Sequence, residues 1–400
     1  MGNNLLNHRQ LIKYENQRKV LSLISKKPTT RIDIAEQLSL TQSAISSIVD
    51  NLISIGIVHS NGTLEERLSV GRKPEVLEIT REWGYVIGIS IDRDGIDIGL
   101  VDLSGSVLDS FPRFDVEEDY DLSLDTIAQK VKELLKRHPK ESKQVLGIGV
   151  VVPGPYDSVK GQMQNPPQFF KRWHYLELQK ELSKRFSYPI LIEHNSVGMA
   201  IAERCLGIGI DYPNFVIYNI NAGLGAGLVL NNIVYSRYGY GGEIGHTSID
   251  FNGRLCSCGN RGCLETYASV SSLMHEVTRI RSDITSWQHL VDLAYEGDDL
   301  CNRFIQLESD YIGRSIVNLN NLCGLDAAFL TGQITYRPER LLEGIRKLVS
   351  SSSITTPYRT VVIGISGVQG NRYIVSSAAI LIDRIYNEPT FFYRLQQNKF

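Results

Sequence analysis

The chain has 400 residues, 42% hydrophobic and 22% charged, which is ordinary globular material for two to three domains. A formal net charge of −2 excludes a bulk electrostatic field as the source of nucleic-acid affinity, so any such contact has to come from local charge. No run approaches the roughly 18 apolar residues of a membrane span, and the start lacks a basic segment followed by an apolar one; a cytoplasmic protein without membrane contact is expected.

The first eighty residues hold ten Lys and Arg against eight Asp and Glu, or +2, which leaves −4 for the rest. From His8 to Ser25, Leu11, Ile12, Val20, Leu21 and Ile24 recur on a helical period, and Pro28 closes the stretch. Thr30 then caps a short helix, Arg31 to Leu38. After a turn at Ser39-Leu40, Thr41 caps a third helix whose buried face is Ile45, Val49, Leu52 and Ile53. That leaves Gln42, Ser43, Ser46, Ser47 and Asp50 outward, and short polar side chains suit a helix that approaches base edges in a major groove. A β-hairpin is predicted next, from Ile57 through a turn at Asn61-Gly62 to Val76–Ile79, with Arg67, Arg72 and Lys73 as a basic tip for phosphates. The pattern is a winged helix-turn-helix. Its candidate DNA contacts are Thr41, Gln42, Ser43, Ser46, Ser47, Arg67, Arg72 and Lys73.

Past Trp83, strands are predicted at Tyr85–Asp92, Gly95–Asp102 and Ser106–Phe111, then a helix from Leu124 to Arg137 and a strand from Val145 to Val152. Strand, helix and strand recur at Ile190–Glu193, Ser196–Leu206 and Phe215–Ile220, which points to an α/β architecture. Further on, Cys256, Cys258 and Cys263 fall within eight residues, ten positions after His246. Three thiolates and one imidazole close a tetrahedron, so a structural zinc is expected there. Glu243 and Glu265 flank the cluster, as if the metal held a loop that aims carboxylates. The other cysteines, Cys205, Cys301 and Cys323, stand singly and are expected to be reduced.

The stretch Gly242-Glu243-Ile244-Gly245-His246, with Cys256-Ser257-Cys258-Gly259-Asn260-Arg261-Gly262-Cys263-Leu264-Glu265, resembles the signature of the ROK family, which groups bacterial repressors with sugar kinases. The resemblance covers nearly the whole chain and is greatest to the xylose-repressor and glucose-repressor branch. It implies an actin-like, ribonuclease H-like ATPase body of two lobes, with a sugar bound between them and zinc supporting the sugar loop. The implied division is a winged helix over 1–82 and a body over 83–400. Its lobes span about 83–198 and 199–372, with the C-terminal helix packed back on the first lobe.

Family kinases carry a glycine-rich phosphate hairpin where this chain has Ser90-Ile91-Asp92-Arg93-Asp94, and the two carboxylates would repel phosphates. The position resembling the catalytic aspartate is Asn195, and a carboxamide is no general base. The glycine loop Gly223-Leu224-Gly225-Ala226-Gly227 keeps its form, while Leu330-Thr331-Gly332-Gln333 retains one glycine. The resemblance places Asn165, His194, Asn195, Glu243, His246 and Glu265 at sugar contacts, with His246 serving metal and sugar through its two nitrogens. The expectation is a non-enzymatic, sugar-responsive repressor acting on operator DNA as a homodimer or homotetramer. An active sugar kinase is one alternative. A repressor controlled by a sugar-transport protein is the other, with the aromatic stretch Thr390–Leu395 as a contact.

Overall fold

The computed structural model describes residues 8–63, 75–166, 169–236, 241–352, 354, 358–368, 370–388, 391 and 394, with backbone alone for 8–11 and 63. Helix α1 spans His8–Lys26 and stops ahead of Pro28. Strand β1 (Thr29–Thr30) leads into α2 (Arg31–Leu38), capped by the Thr30 hydroxyl, which accepts from the Asp33 N–H at 3.2 Å. Ser39, in the left-handed region at φ 53°, ends α2, and Thr41 caps α3 (Gln42–Ser54) by accepting from the Ala44 N–H at 3.3 Å. Ile45, Val49 and Leu52 form the buried face of α3. Strands β2 (Val58–Thr63) and β3 (Glu75–Ile79) pair antiparallel, and the sheet runs β1-β3-β2.

The hairpin departs from expectation at its turn. Asn61 and Gly62 lie inside β2, where the register shifts between Ser60 and Thr63, and Gly62 at φ 68° supplies the backbone freedom that the bulge requires. An Asn-Gly pair satisfies a bulge as well as a tight turn. The connection itself falls among 64–74, so Arg67, Arg72 and Lys73 lie outside the described residues, as does most of the 390–395 stretch.

The remaining elements follow in order: β4 (Tyr85–Asp92), β5 (Gly95–Asp102), β6 (Val107–Ser110), α4 (Tyr120–Arg137), β7 (Val145–Val152), β8 (Tyr156–Asp157), β9 (Gln162–Met163), α5 (Leu178–Arg185), β10 (Ile190–His194) and α6 (Asn195–Leu206). After them come β11 (Phe215–Ile220), β12 (Leu224–Leu230), β13 (Ile233–Val234), α7 (Glu265–Ala268), α8 (Val270–Ile280), α9 (Trp287–Tyr295), α10 (Asp299–Cys323), β14 (Ala327–Gly332), α11 (Glu339–Ser352), β15 (Val362–Ile365) and α12 (Arg372–Asn387). Helix α4 starts four residues before the predicted Leu124, because Asp119 caps it by accepting from the Asp121 N–H at 3.1 Å.

The chain packs as two compact units, 1–152 with 177–193 and 369–400, and 153–176 with 194–368. The first holds α1 to α3 with the β1-β3-β2 sheet, and a sheet ordered β10-β7-β4-β5-β6, in which β4 runs parallel to β7 and antiparallel to β5. Helix α12 covers β4, β5 and β7 with Ile374, Ala378, Leu381 and their neighbours, all buried, and it also meets α1, where Ser22 Oγ donates to Asn387 Oδ1 at 3.0 Å. The second unit holds the sheet β13-β12-β11-β14-β15, whose buried residues share a core with those of α8 to α11. Parallel strands β11, β14 and β15 with helices between them make this the expected α/β arrangement.

Candidate functional site

Every residue of the expected metal and sugar sets falls in the second unit. After the short 3₁₀ turn Ile244–His246, the chain runs out through Ile249 and Asp250 and doubles back. Bridges between Leu255 and Arg261 and between Ser248 and Cys263 hold the returning strands together. Local hydrogen bonds close the loop: Cys256 N–H to Asn260 O at 2.8 Å, Gly259 N–H to Cys256 O at 3.0 Å, and Ser248 Oγ to Arg261 O at 2.6 Å. These bonds gather the His246, Cys256, Cys258 and Cys263 ligand atoms within 4.8 Å of one another. Cys256 Sγ is 3.6 Å from His246 Nδ1, and Cys258 Sγ is 3.7 Å from Cys263 Sγ.

A tetrahedron with metal–sulfur bonds of about 2.3 Å has edges of about 3.8 Å, so the quartet fits a four-coordinate metal. Cysteine sulfur and imidazole nitrogen are also the donor types that zinc takes. Burial and the neighbouring sulfurs push Cys263 up to about 12, whereas Cys258 is lowered because hydrogen bonds from the Asn260 backbone and the other cysteines outweigh its burial. With four protein ligands, a bound ion would organise the loop and leave no position for a reacting water.

The imidazole of His246 has two faces. Nδ1 turns toward the sulfurs, and Nε2 stands 4.0 Å from a carboxylate oxygen of Glu265, the first residue of α7. Glu243 immediately precedes the 3₁₀ turn that ends at His246, and its buried Oε1 has no hydrogen-bond partner among the described residues. Two carboxylates and an imidazole edge are thus presented from one short loop and the helix that follows it. An orphaned buried acceptor of this kind is costly unless a ligand or water meets it.

The other expected site residues are carried by other elements of the same unit. His194 and Asn195 form the junction of β10 and α6, with His194 buried and its ring against Gly154, and Asn195 Oδ1 accepting from Ser196 Oγ at 3.4 Å. Asn165 is exposed on the segment after β9. The glycine loop has a packing explanation. A Cβ at Gly225 would stand 2.4 Å from Ser196 Oγ, and one at Gly227 would stand 2.3 Å from Ser196 O, so both glycines admit α6 against β12. In the first unit, Asp92 ends β4 and Asp94 lies in the two-residue turn to β5, where Asp92 accepts from the Arg93 N–H at 2.7 Å. Burial, with help from Asp94, raises Asp92 above the usual carboxylate range against that bond.

Along α3 and its cap, Thr41, Gln42, Ser43 and Ser47 are exposed and Ser46 is half-buried. Asp50 faces outward as expected and pairs with Arg31 of α2 at 2.8 Å, and Arg31 also donates to the Ser46 carbonyl at 3.2 Å. Arg31 is therefore a residue that sequence reasoning missed, since its role depends on how α2 crosses α3. Among the described residues, no helix is long and apolar enough to cross a membrane.

A family model described as the ROK family matches residues 86–384. The chain is 30% identical over 342 residues to a xylose repressor of Bacillus spizizenii, covering 85% of this chain and 88% of the relative. It is 26% identical over 364 residues to the DNA-binding transcriptional dual regulator NagC of Escherichia coli strain K12, covering 86% of each. Among solved structures, a ROK family transcriptional regulator described as a homolog of the E. coli MLC protein superimposes with a TM-score of 0.80 at 27% identity, covering 96% of this chain and 99% of that one. On the family match over residues 86–384, and on its likeness to regulators over 85% or more of its length, this chain belongs to the ROK family.

Proposed function

We propose that the protein is a DNA-binding repressor of carbohydrate-utilisation genes that senses a sugar with a kinase-related body and does not phosphorylate it. The observation that carries this reading is the Glu265 carboxylate 4.0 Å from His246 beside the candidate metal quartet, with the unpartnered buried oxygen of Glu243 three residues upstream, in a chain similar to sugar-named repressors. Carboxylates and an imidazole edge suit vicinal hydroxyls, and a site built to bond them rejects analogues that lack one. The orphaned Glu243 Oε1 is an acceptor awaiting such a hydroxyl. Asn165, His194 and Asn195 complete the proposed sugar set. Zinc, held by His246, Cys256, Cys258 and Cys263, stabilises the loop and takes no part in chemistry.

Residues 1–82 act as the winged helix, reading DNA with Thr41, Gln42, Ser43, Ser46 and Ser47 and following phosphates with Arg67, Arg72 and Lys73. A homodimer or homotetramer presents two such heads to a palindrome. Asn195 at the general-base position and the carboxylates of Asp92 and Asp94 argue against phosphoryl transfer. D-xylose is the first effector to test. Operator fragments selected from genomic DNA are bound in fluorescence anisotropy with and without D-xylose, D-glucose and N-acetylglucosamine, and ATP consumption is followed in parallel. Sequence-specific binding released by one sugar, without ATP turnover, is the expected result. Sugar-dependent ATP hydrolysis refutes the non-enzymatic reading, and release only in the presence of a transport protein replaces the direct sensor with a partner-controlled one.

A further inference from the structure

Helix α7 is a single turn, Glu265–Ala268, and one turn of helix is too short to hold its own orientation. Contacts from outside must therefore aim Glu265. The metal quartet supplies one of them through Cys263, two residues upstream. Arg254 supplies another. Its backbone N–H donates to the Tyr267 hydroxyl at 3.0 Å, its Nη1 donates to the Thr266 carbonyl at 2.8 Å, and its guanidinium lies 4.5 Å from the centre of the Tyr267 ring. Thr266 and Tyr267 are the two residues that follow Glu265.

The same arginine is anchored in the metal loop, where its carbonyl accepts from the Gly262 N–H at 2.7 Å. Gly253 clears the space for the clasp, since a Cβ there would stand 2.1 Å from the Tyr267 hydroxyl oxygen. Tyr267 is backed in turn by Tyr311 of α10, ring centres 5.4 Å apart, and Arg254 Nη2 lies 3.5 Å from Glu276 of α8. Planar stacking combined with a directed N–H donor is a task for Arg, which Lys performs poorly.

We infer that Arg254 and Tyr267 are positioning residues for the sugar site, clasping α7 to the metal loop so that the Glu265 carboxylate faces His246 independently of the metal. The inference rests on the sensor reading above for its functional consequence but not for its structural content, and the test separates the two. Full-length Arg254→Ala, Arg254→Lys and Tyr267→Phe variants are compared with the unmodified chain for zinc content, for D-xylose affinity by calorimetry, and for amide hydrogen exchange over residues 264–268. Zinc content should be unchanged. D-xylose affinity should fall about tenfold or more in Arg254→Ala, as for other supports behind a ligand-contacting residue, and less in Arg254→Lys. Exchange at 264–268 should accelerate in Arg254→Ala at full zinc occupancy. Unchanged exchange in that variant, or loss of zinc in step with loss of affinity, overturns the clasp. If D-xylose fails to bind the unmodified chain, the sensor reading fails for that sugar while the exchange measurement still decides the clasp.

Discussion

At the scale of single residues, two side chains offer direct measurements. Cys258 is the exposed member of the candidate metal quartet, so its replacement by Ser removes a proposed ligand without opening the core. Cys258→Ser should lose bound zinc and the response to sugar, while operator affinity without sugar stays close to that of the unmodified chain; metal analysis and anisotropy on one preparation check this. Glu308 is a different case. It sits on α10 only 1% exposed, neither carboxylate oxygen has a hydrogen-bond partner among the described residues, and burial raises it well above the usual carboxylate range. In the folded protein it therefore keeps its proton where the unfolded chain has released it. Its stabilising contribution is complete below the unfolded value near 4.5 and is lost as pH rises toward the folded one. Glu308→Gln should flatten that fall, and the difference in melting temperature between variant and parent should grow in favour of the variant from pH 5 to pH 8. A constant difference across that range would show the carboxyl to be ionised in the fold.

At the scale of elements, α3 is held by more than its apolar face. Arg31 reaches from α2 to Asp50 and to the Ser46 carbonyl, and because Asp50 is 67% exposed a double-mutant cycle on the ion pair should give only about 0.2–1 kcal/mol. Arg31→Ala should nevertheless weaken operator binding more than that coupling suggests, since the carbonyl contact orients the helix; anisotropy set beside urea unfolding separates the effects. Between β12 and α6, Gly227→Val has no room and should destabilise by about 1–3 kcal/mol, seen as a lower urea midpoint with an unchanged slope.

These cases also mark how far the sequence could be read. The caps at Thr30 and Thr41 and the strands β4, β5 and β7 rest on local pattern and were legible residue by residue. The quartet was legible because its spacing is itself the chemistry. Asn61-Gly62 was misplaced, because the dipeptide suits a bulge as well as a turn. Arg31 with Asp50, Arg254 with Tyr267, and the burial of Glu308 were not legible at all. Each depends on which elements meet, and no residue pattern within one element announces that.

At the scale of the whole molecule, the proposed division of labour can be tested without naming the effector. Operator affinity should fall steeply with salt, and replacing Arg67, Arg72 or Lys73 singly by Ala should reduce the slope of log affinity against log salt by about 1 each while weakening all sequences alike. A slope that does not move excludes that residue from phosphate contact. One feature of the first unit reaches beyond binding. Its sheet strands β4, β5 and β7 are complete by residue 152, yet the helix that covers them is 372–387. During synthesis at roughly 5–20 residues per second, those apolar strands wait on the order of ten seconds or more for their cover, while the nearly contiguous second unit is made and can fold. The nascent chain should accordingly bind chaperones most strongly after the sheet has emerged and before α12 does. Truncation ahead of residue 372 should yield an aggregating product in which only the second unit resists protease.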